Sequence, residues 1–212
     1  QFYKTDHHWK ANTAFLAHQE VLRELERIYG YDFDEEKYDR QAYKEKHQAL
    51  PWIGSQGRRV GVTYGGVDSF EYLLPLFETN LHMEVYNREG DWVRDVSGSF
   101  EEVFLRPEIL ESGSKTDNRY ASFFGNDYHL VKIRNEEGSI DKKILLIQDS
   151  FGRPFSAYMA LHFTAVDILD LRDYSASLLT EYIEDNEFDC VAVLYNPGSL
   201  RFGESEEMFR FE

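Results

Sequence analysis

Lys143-Ile144-Leu145-Leu146-Ile147-Gln148-Asp149-Ser150-Phe151-Gly152 is the stretch from which the fold can be read. Residues 144–147 are apolar without interruption, the pattern of a strand buried on both faces. Residues 154–163 predict a short helix, with Pro154 in the first turn, where its missing N–H costs nothing. Further on, residues 166–171 predict a second strand and residues 175–186 an amphipathic helix. Residues 188–195 predict a third strand, almost uniformly apolar. This β-α-β-α-β order implies a parallel sheet covered on both faces. Sites in such sheets gather at the carboxyl ends of the strands. Ser150, Arg172 and Asn196 follow the three strands and are therefore expected on one edge.

Toward the N-terminus, Asn12 and Thr13 are candidate caps for a helix over residues 14–29, which Gly30 would stop. Phe15, Leu22, Leu25, Ile28 and Tyr29 mark its apolar face. Residues 31–48 are charged and poorly periodic, and read as a loop or an exposed helix. Residues 50–135 differ in character, with strands predicted over 59–64, 83–86, 91–94 and 128–133. Asn87-Arg88-Glu89-Gly90 reads as a hairpin turn between two of them. This middle section is expected to be a β-rich insertion within a single domain spanning 1–212. Its Trp52, Trp92 and tyrosines could present aromatic faces to a ligand.

The 212 residues suffice for one sizeable core, and a hydrophobic content of 42% marks a globular chain. Lys and Arg number 23 against 39 Asp and Glu, a net charge of −16. That balance argues against nucleic acid and against an anionic membrane surface as partners. Cys190 is the only cysteine, so no disulfide forms within the chain, and its apolar surroundings predict a buried thiol. No run of about 18 apolar residues exists to span a membrane. The sequence opens on Gln1, with no charged-then-apolar leader, as a processed or truncated piece of a longer protein would.

The chemistry-bearing residues lie in two places. Ser150 sits just past a buried strand and close to a helix N-terminus, where a developing oxyanion would meet free backbone donors. The alternative is an ordinary capping serine. Far upstream stands Thr5-Asp6-His7-His8-Trp9, on the loop before the first helix. An Asp-x-His pair could complete a Ser-His-Asp system, whatever the chain order. In an extended loop Asp6 and His8 point to one side and His7 to the other, to structure the loop or face substrate. A zinc site on Asp6, His7 and His8 would need a further ligand, and no Cys-x-x-Cys or His-Glu-x-x-His accompanies them. The reading requires no metal and no cofactor. His18, His129 and His162 are expected to be structural.

These two motifs together resemble the bacterial DHHW proteins, relatives of the alginate O-acetyltransferase type within the SGNH hydrolase superfamily. The resemblance covers roughly residues 1–25 and 120–200. It implies an SGNH-hydrolase-like (flavodoxin-like) α/β fold, a three-layer parallel sheet in permuted order, with the Asp-x-His block before the serine block. It implies acetyl transfer to or from carbohydrate, in exopolysaccharide or cell-envelope glycan modification outside the cytoplasm. The protein would be secreted, or anchored through a segment not in this chain. The partners implied are a glycan acceptor and an acetyl donor, with delivery by a membrane partner as one route. By position, Ser150 would be the nucleophile, His8 the base and Asp6 the group that orients it. Gln148 stands where many superfamily members have the Gly of Gly-Asp-Ser, a departure that bears on the turn geometry. The superfamily also uses an asparagine in its oxyanion hole, for which Asn126 in Phe124-Gly125-Asn126-Asp127 is the candidate. Arg172 would stabilise the oxyanion or bind sugar, or else pair with Asp173. The rivals are a carbohydrate acetylesterase on the same site and a non-catalytic glycan-binding or assembly protein.

Overall fold

The computed structural model describes residues 1–172 and 176–200. In chain order these form α1 (Ala11–Tyr29), α2 (Glu35–Tyr38), β1 (Tyr43–His47), α3 (Ser55–Val60), α4 (Val62–Gly65), β2 (Glu71–Pro75), β3 (Leu81–Tyr86) and β4 (Trp92–Gly98). Then come α5 (Phe100–Phe104), α6 (Pro107–Leu110), β5 (Leu130–Asn135), β6 (Ile140–Gln148), α7 (Arg153–Met159), β7 (Phe163–Leu169), α8 (Ala176–Asn186) and β8 (Cys190–Leu194). Residue 175, the expected start of the last helix, lies outside the described residues.

Six strands form one sheet in the order β4-β3-β5-β7-β6-β8, and β1 and β2 form a separate antiparallel pair. Around β6 the expectation holds: β6 runs parallel to both β7 and β8. Elsewhere it does not, for the sheet is mixed rather than all-parallel. β5 pairs antiparallel with β7, and β3 antiparallel with both β5 and β4. Three strands of the middle section, β3, β4 and β5, thus extend the sheet, while β2 pairs with β1 apart from it. Alternation along a strand records which face is buried, not which neighbour it pairs with, so the local pattern could not show this. The hairpin is as expected: Asn87 N–H donates to Asp91 O, and Gly90 takes the left-handed conformation at φ 81°.

Both faces of the central strands are buried, by different layers. Ile144 and Leu146 of β6 face the larger core, with Phe15, Leu22 and Tyr158. Leu145 and Ile147 face a smaller cluster with Leu169 and Leu179, against which Tyr182 and Ile183 of α8 pack. The covering ends at β8, where Val191 and Val193 are exposed, and Cys190 is half-buried rather than enclosed.

Within residues 31–48, read as a loop or an exposed helix, Tyr43–His47 form β1, because pairing with β2 overrides their charged, aperiodic pattern. Two further local expectations fail for physical reasons. Residues 59–64 form the short helices α3 and α4, not a strand. Val60, Val62 and Tyr64 alternate as in a strand but are exposed, and Gly61 at φ 79° separates the helices. In α1, Ala14, Phe15, His18, Leu22 and Leu25 are buried, whereas Ile28 and Tyr29 lie outside. Its N-cap is Lys10, without a side-chain cap, and Gly30 ends it in the left-handed conformation. Among the described residues no helix is long and apolar enough to cross a membrane.

α1 and the end of α7 meet at a buried histidine pair. His18 and His162 lie Nε2 to Nε2 at 2.9 Å, and His18 Nδ1 is 3.1 Å from Phe15 O. Burial pushes His18 down to about 3 and His162 well below the ordinary imidazole range. Both stay neutral when folded yet take protons in the unfolded chain below about pH 6.5. Because the unfolded state then binds more protons, stability falls as pH drops below about 6.5. Urea unfolding at pH 7 and pH 5 should show a lower midpoint at pH 5. His18→Gln should make that dependence shallower.

Candidate active site

The loop carrying Asp6 and His8 is held by side chains distant in sequence. Asp68 accepts from Lys4 N–H at 2.9 Å, Thr5 N–H at 2.8 Å and the Thr5 hydroxyl at 2.6 Å. The Thr5 hydroxyl accepts from Gly54 N–H at 2.9 Å, and Thr5 O accepts from Gly57 N–H at 2.8 Å. Asp68 is fixed in turn by reciprocal backbone bonds with Trp52, both of 2.8 Å. Trp52 is therefore buried, 1% exposed, and cannot stack on a sugar; Trp92 on the edge strand is exposed.

Asp6 is 5% exposed. Burial alone would raise its pKa, but hydrogen bonds from His8 and from the Ser55 backbone outweigh burial and hold the carboxyl well below the usual carboxylate range. Ser55 N–H reaches Oδ2 at 2.9 Å and His8 N–H reaches Oδ1 at 3.2 Å. His8 Nδ1 lies 2.5 Å from Oδ1. An ionised carboxylate only accepts, so Nδ1 carries the proton and Nε2 is left with its lone pair. That lone pair faces Ser150 Oγ at 2.9 Å. Asp6, His8 and Ser150 thus form one hydrogen-bonded chain, with the connectivity that activates a hydroxyl for attack on a carbonyl. His7 lies beside it, with its ring centroid 3.9 Å from that of His8. Its pKa is lowered by burial and by His8, and its Nδ1 is 3.4 Å from Ser55 Oγ.

Ser150 opens a 3-10 turn, Ser150–Gly152, that leads into α7. Asp149 shapes this turn by accepting from Phe151 N–H at 2.9 Å. Its other oxygen accepts from Asn196 N–H and the Ser199 hydroxyl, each at 3.0 Å. Asn196 Nδ2 also donates to His7 O at 3.4 Å. The ends of β6 and β8 therefore meet, as their parallel order predicts. Gln148 is accommodated because residue 152 is glycine. A Cβ there would lie 2.2 Å from Gln148 Oε1.

Arg172 stands at the same edge but is not free. It bonds Asp170 through its backbone N–H and guanidinium, and Asp127 at 2.9 Å. These acids, Asp170 above all, raise its pKa further. Asp127 also holds Arg153 at 2.6 Å. Asp173, the partner expected for Arg172, lies outside the described residues. Asn126 is exposed and lines a small cleft with Gln148, Asp149 and Arg153. No hydrogen bond joins it to Ser150.

The sequence does not single out Ser55, Asp68 or Asn196 as site residues. Ser55 contributes through its backbone, for which its identity gives no signal. Asn196 was legible only as a strand-end position.

Asp6, His7 and His8 offer ligand atoms within 4.8 Å of one another, a group that could hold a metal ion. Both ring nitrogens of His8 are already in hydrogen bonds, so a metal would have to displace Asp6 or Ser150.

Fold and site together define an α/β protein with a mixed sheet and an Asp-His-Ser chain at the strand ends. Solved structures share the fold, among them the following. Bacillus cereus PatB1 matches with a TM-score of 0.74 and 24% identity over 100% of this chain, and PatB1 with a sulfonyl adduct with 0.73 and 22% over 100%. A DHHW family protein from Eubacterium siraeum matches with a TM-score of 0.72 and 18% identity over 96%. The chain spans less than two thirds of those proteins, 66%, 64% and 61% of their lengths. No family model matches the sequence. No curated protein matches it either.

Gly54 has no room for a side chain, since a Cβ there would lie 2.4 Å from Asp6 Cβ and 2.6 Å from Thr5 O. Gly54→Ala should destabilise the protein by about 1–3 kcal/mol in urea unfolding. Gly113→Ala, at a position with nothing within 4 Å of the added carbon, should change it by less than about 0.5 kcal/mol.

Proposed function

We propose that the protein is a carbohydrate O-acetyltransferase working through an acetyl-serine intermediate. The observation that carries this reading is Ser150 Oγ lying 2.9 Å from the free lone pair of a histidine whose other nitrogen donates to an ionised, buried aspartate. His8 Nε2 takes the Ser150 proton as Oγ attacks the acetyl carbonyl of the donor. The bond from the carbonyl carbon to the donor's leaving group breaks, and that group departs with the proton from His8. An acceptor hydroxyl then attacks the acetyl-serine, giving its proton to His8, and Ser150 regains a proton as the product leaves. Asp6 keeps the imidazole in the productive tautomer and offsets the imidazolium charge.

The glycan acceptor and a place outside the cytoplasm rest on the resemblance carried by the paired DHHW and serine motifs, while the fold shared with PatB1 and a DHHW family protein supports the acetyltransferase kind of function. The sulfonyl adduct of PatB1 is consistent with a nucleophile in that fold.

The test is acetyl release from p-nitrophenyl acetate, with and without an oligosaccharide acceptor. Wild type should turn over, and Ser150→Ala and His8→Ala should lose about 10⁴-fold or more in kcat. Asp6→Asn should lose about 10³- to 10⁴-fold, as the wrong tautomer becomes favoured. A chelator should leave the rate unchanged. Acetylated oligosaccharide identifies a transferase, and free acetate alone an esterase. No turnover by wild type would overturn both and favour a glycan-binding protein.

A further inference from the structure

The Asp6–His8–Ser150 chain specifies which atoms meet, but not what keeps the imidazole plane turned toward the serine. An imidazole bonded at only two atoms can still rock about the line between them. Tyr120 supplies the missing constraint. Its ring lies parallel to His8, with centroids 3.9 Å apart and 17° between the planes. It is fully buried, at 0% exposure.

The same side chain reaches the nucleophile's turn. Burial keeps the Tyr120 hydroxyl protonated, and it donates to Phe151 O at 2.7 Å. Trp9 Nε1–H donates to the same carbonyl at 2.8 Å and to the Tyr120 hydroxyl at 3.0 Å. The Trp9 ring also stacks on Phe151, at 4.2 Å and 23°. Phe151 follows Ser150 and Trp9 follows His8, so one knot of bonds joins the residue after the base to the residue after the nucleophile. Tyr120 is anchored from behind by Arg119, whose buried guanidinium donates to the carbonyls of Ile109, Leu110, Ser112 and Ser114.

We propose that Tyr120 is a positioning residue for the acyl-transfer site. Its ring holds the plane of His8, and its hydroxyl, with Trp9, sets the distance between His8 and Ser150. The proposal rests on the acyl-transfer reading above. The ring has a second effect as Ser150 gives up its proton. An imidazolium over an aromatic face is stabilised by the ring's quadrupole, most strongly where water is excluded. Tyr120 therefore favours the charged state of His8 formed during attack, and bound substrate makes no contact with it.

The two parts can be separated. Tyr120→Phe keeps the ring and leaves Trp9 to hold the Phe151 carbonyl, so kcat should fall less than about 10-fold. Tyr120→Leu removes the ring, and kcat should fall about 100-fold, the scale of a misplacement of about 1 Å, with KM unchanged. The downfield proton resonance of the His8–Asp6 hydrogen bond should survive in Tyr120→Phe and broaden in Tyr120→Leu. Inactivation by an aryl sulfonyl fluoride should slow in parallel with kcat. All measurements are made below the onset of melting of each variant. A Tyr120→Leu variant with wild-type kcat and resonance would overturn the proposal, as would a loss confined to KM. If Tyr120→Leu fails to fold, Trp9→Phe, which keeps the stack on Phe151 but loses the indole donor, should lower kcat at constant KM. Wild-type kcat in that variant would overturn it. Failure of wild type itself to react with ester or sulfonyl fluoride would instead reject the acyl-transfer reading.

Discussion

A charged carboxylate kept out of water is the constraint around which the site is built. Asp6 is almost fully buried, and an ion so placed is tolerated only when hydrogen-bond donors replace its hydration. Those donors are the His8 ring, the His8 backbone and the Ser55 backbone. Each needs the loop at a fixed distance from residues 54–55. The close approach at Gly54 and the bonds from Lys4 and Thr5 to Asp68 secure that distance. The electrostatic requirement of one side chain thus explains why a short N-terminal loop is tied down by residues 50–68.

The sheet supplies the other half. β6 delivers Ser150 from a strand buried on both faces, leaving the turn little freedom. β8 brings Asn196 and Ser199 to Asp149, so the residue before Ser150 joins two strand ends. Beside them Arg153, Asp127, Arg172 and Asp170 form a chain of alternating charge along the cleft. In a molecule of net charge −16, these two cations are matched by acids within reach of their guanidinium groups.

The parts of this structure legible in the sequence are those set by short-range pattern. The apolar run 144–147, the Pro154 helix start, the Asn87–Gly90 turn and the Gly30 stop each follow from one or a few adjacent residues, and each is where it was expected. Ser150, His8 and Asp6 stood out because their chemistry is unusual at such positions. What stayed hidden depends on pairing over long range. The antiparallel addition of β5 to β7 leaves no trace in either strand alone. The exposed valines of residues 60–62 imitate a strand until Gly61 is seen to turn the chain. Asp68 and Ser55 act through an ordinary carboxylate and a backbone N–H, and nothing in the neighbouring sequence sets them apart from other polar residues.

The sequence separation of 142 between His8 and Ser150 has a kinetic meaning. Closing so long a loop costs more chain entropy than any local contact repays, so the two residues can meet only after intervening structure has formed. A nascent or partly unfolded chain holds the serine and the imidazole far apart, each with its ordinary, weak reactivity. Under the proposed function, an activated Ser150 hydroxyl comes into being only with the finished fold. The meeting of His8 and Ser150 therefore reports on the integrity of the whole sheet.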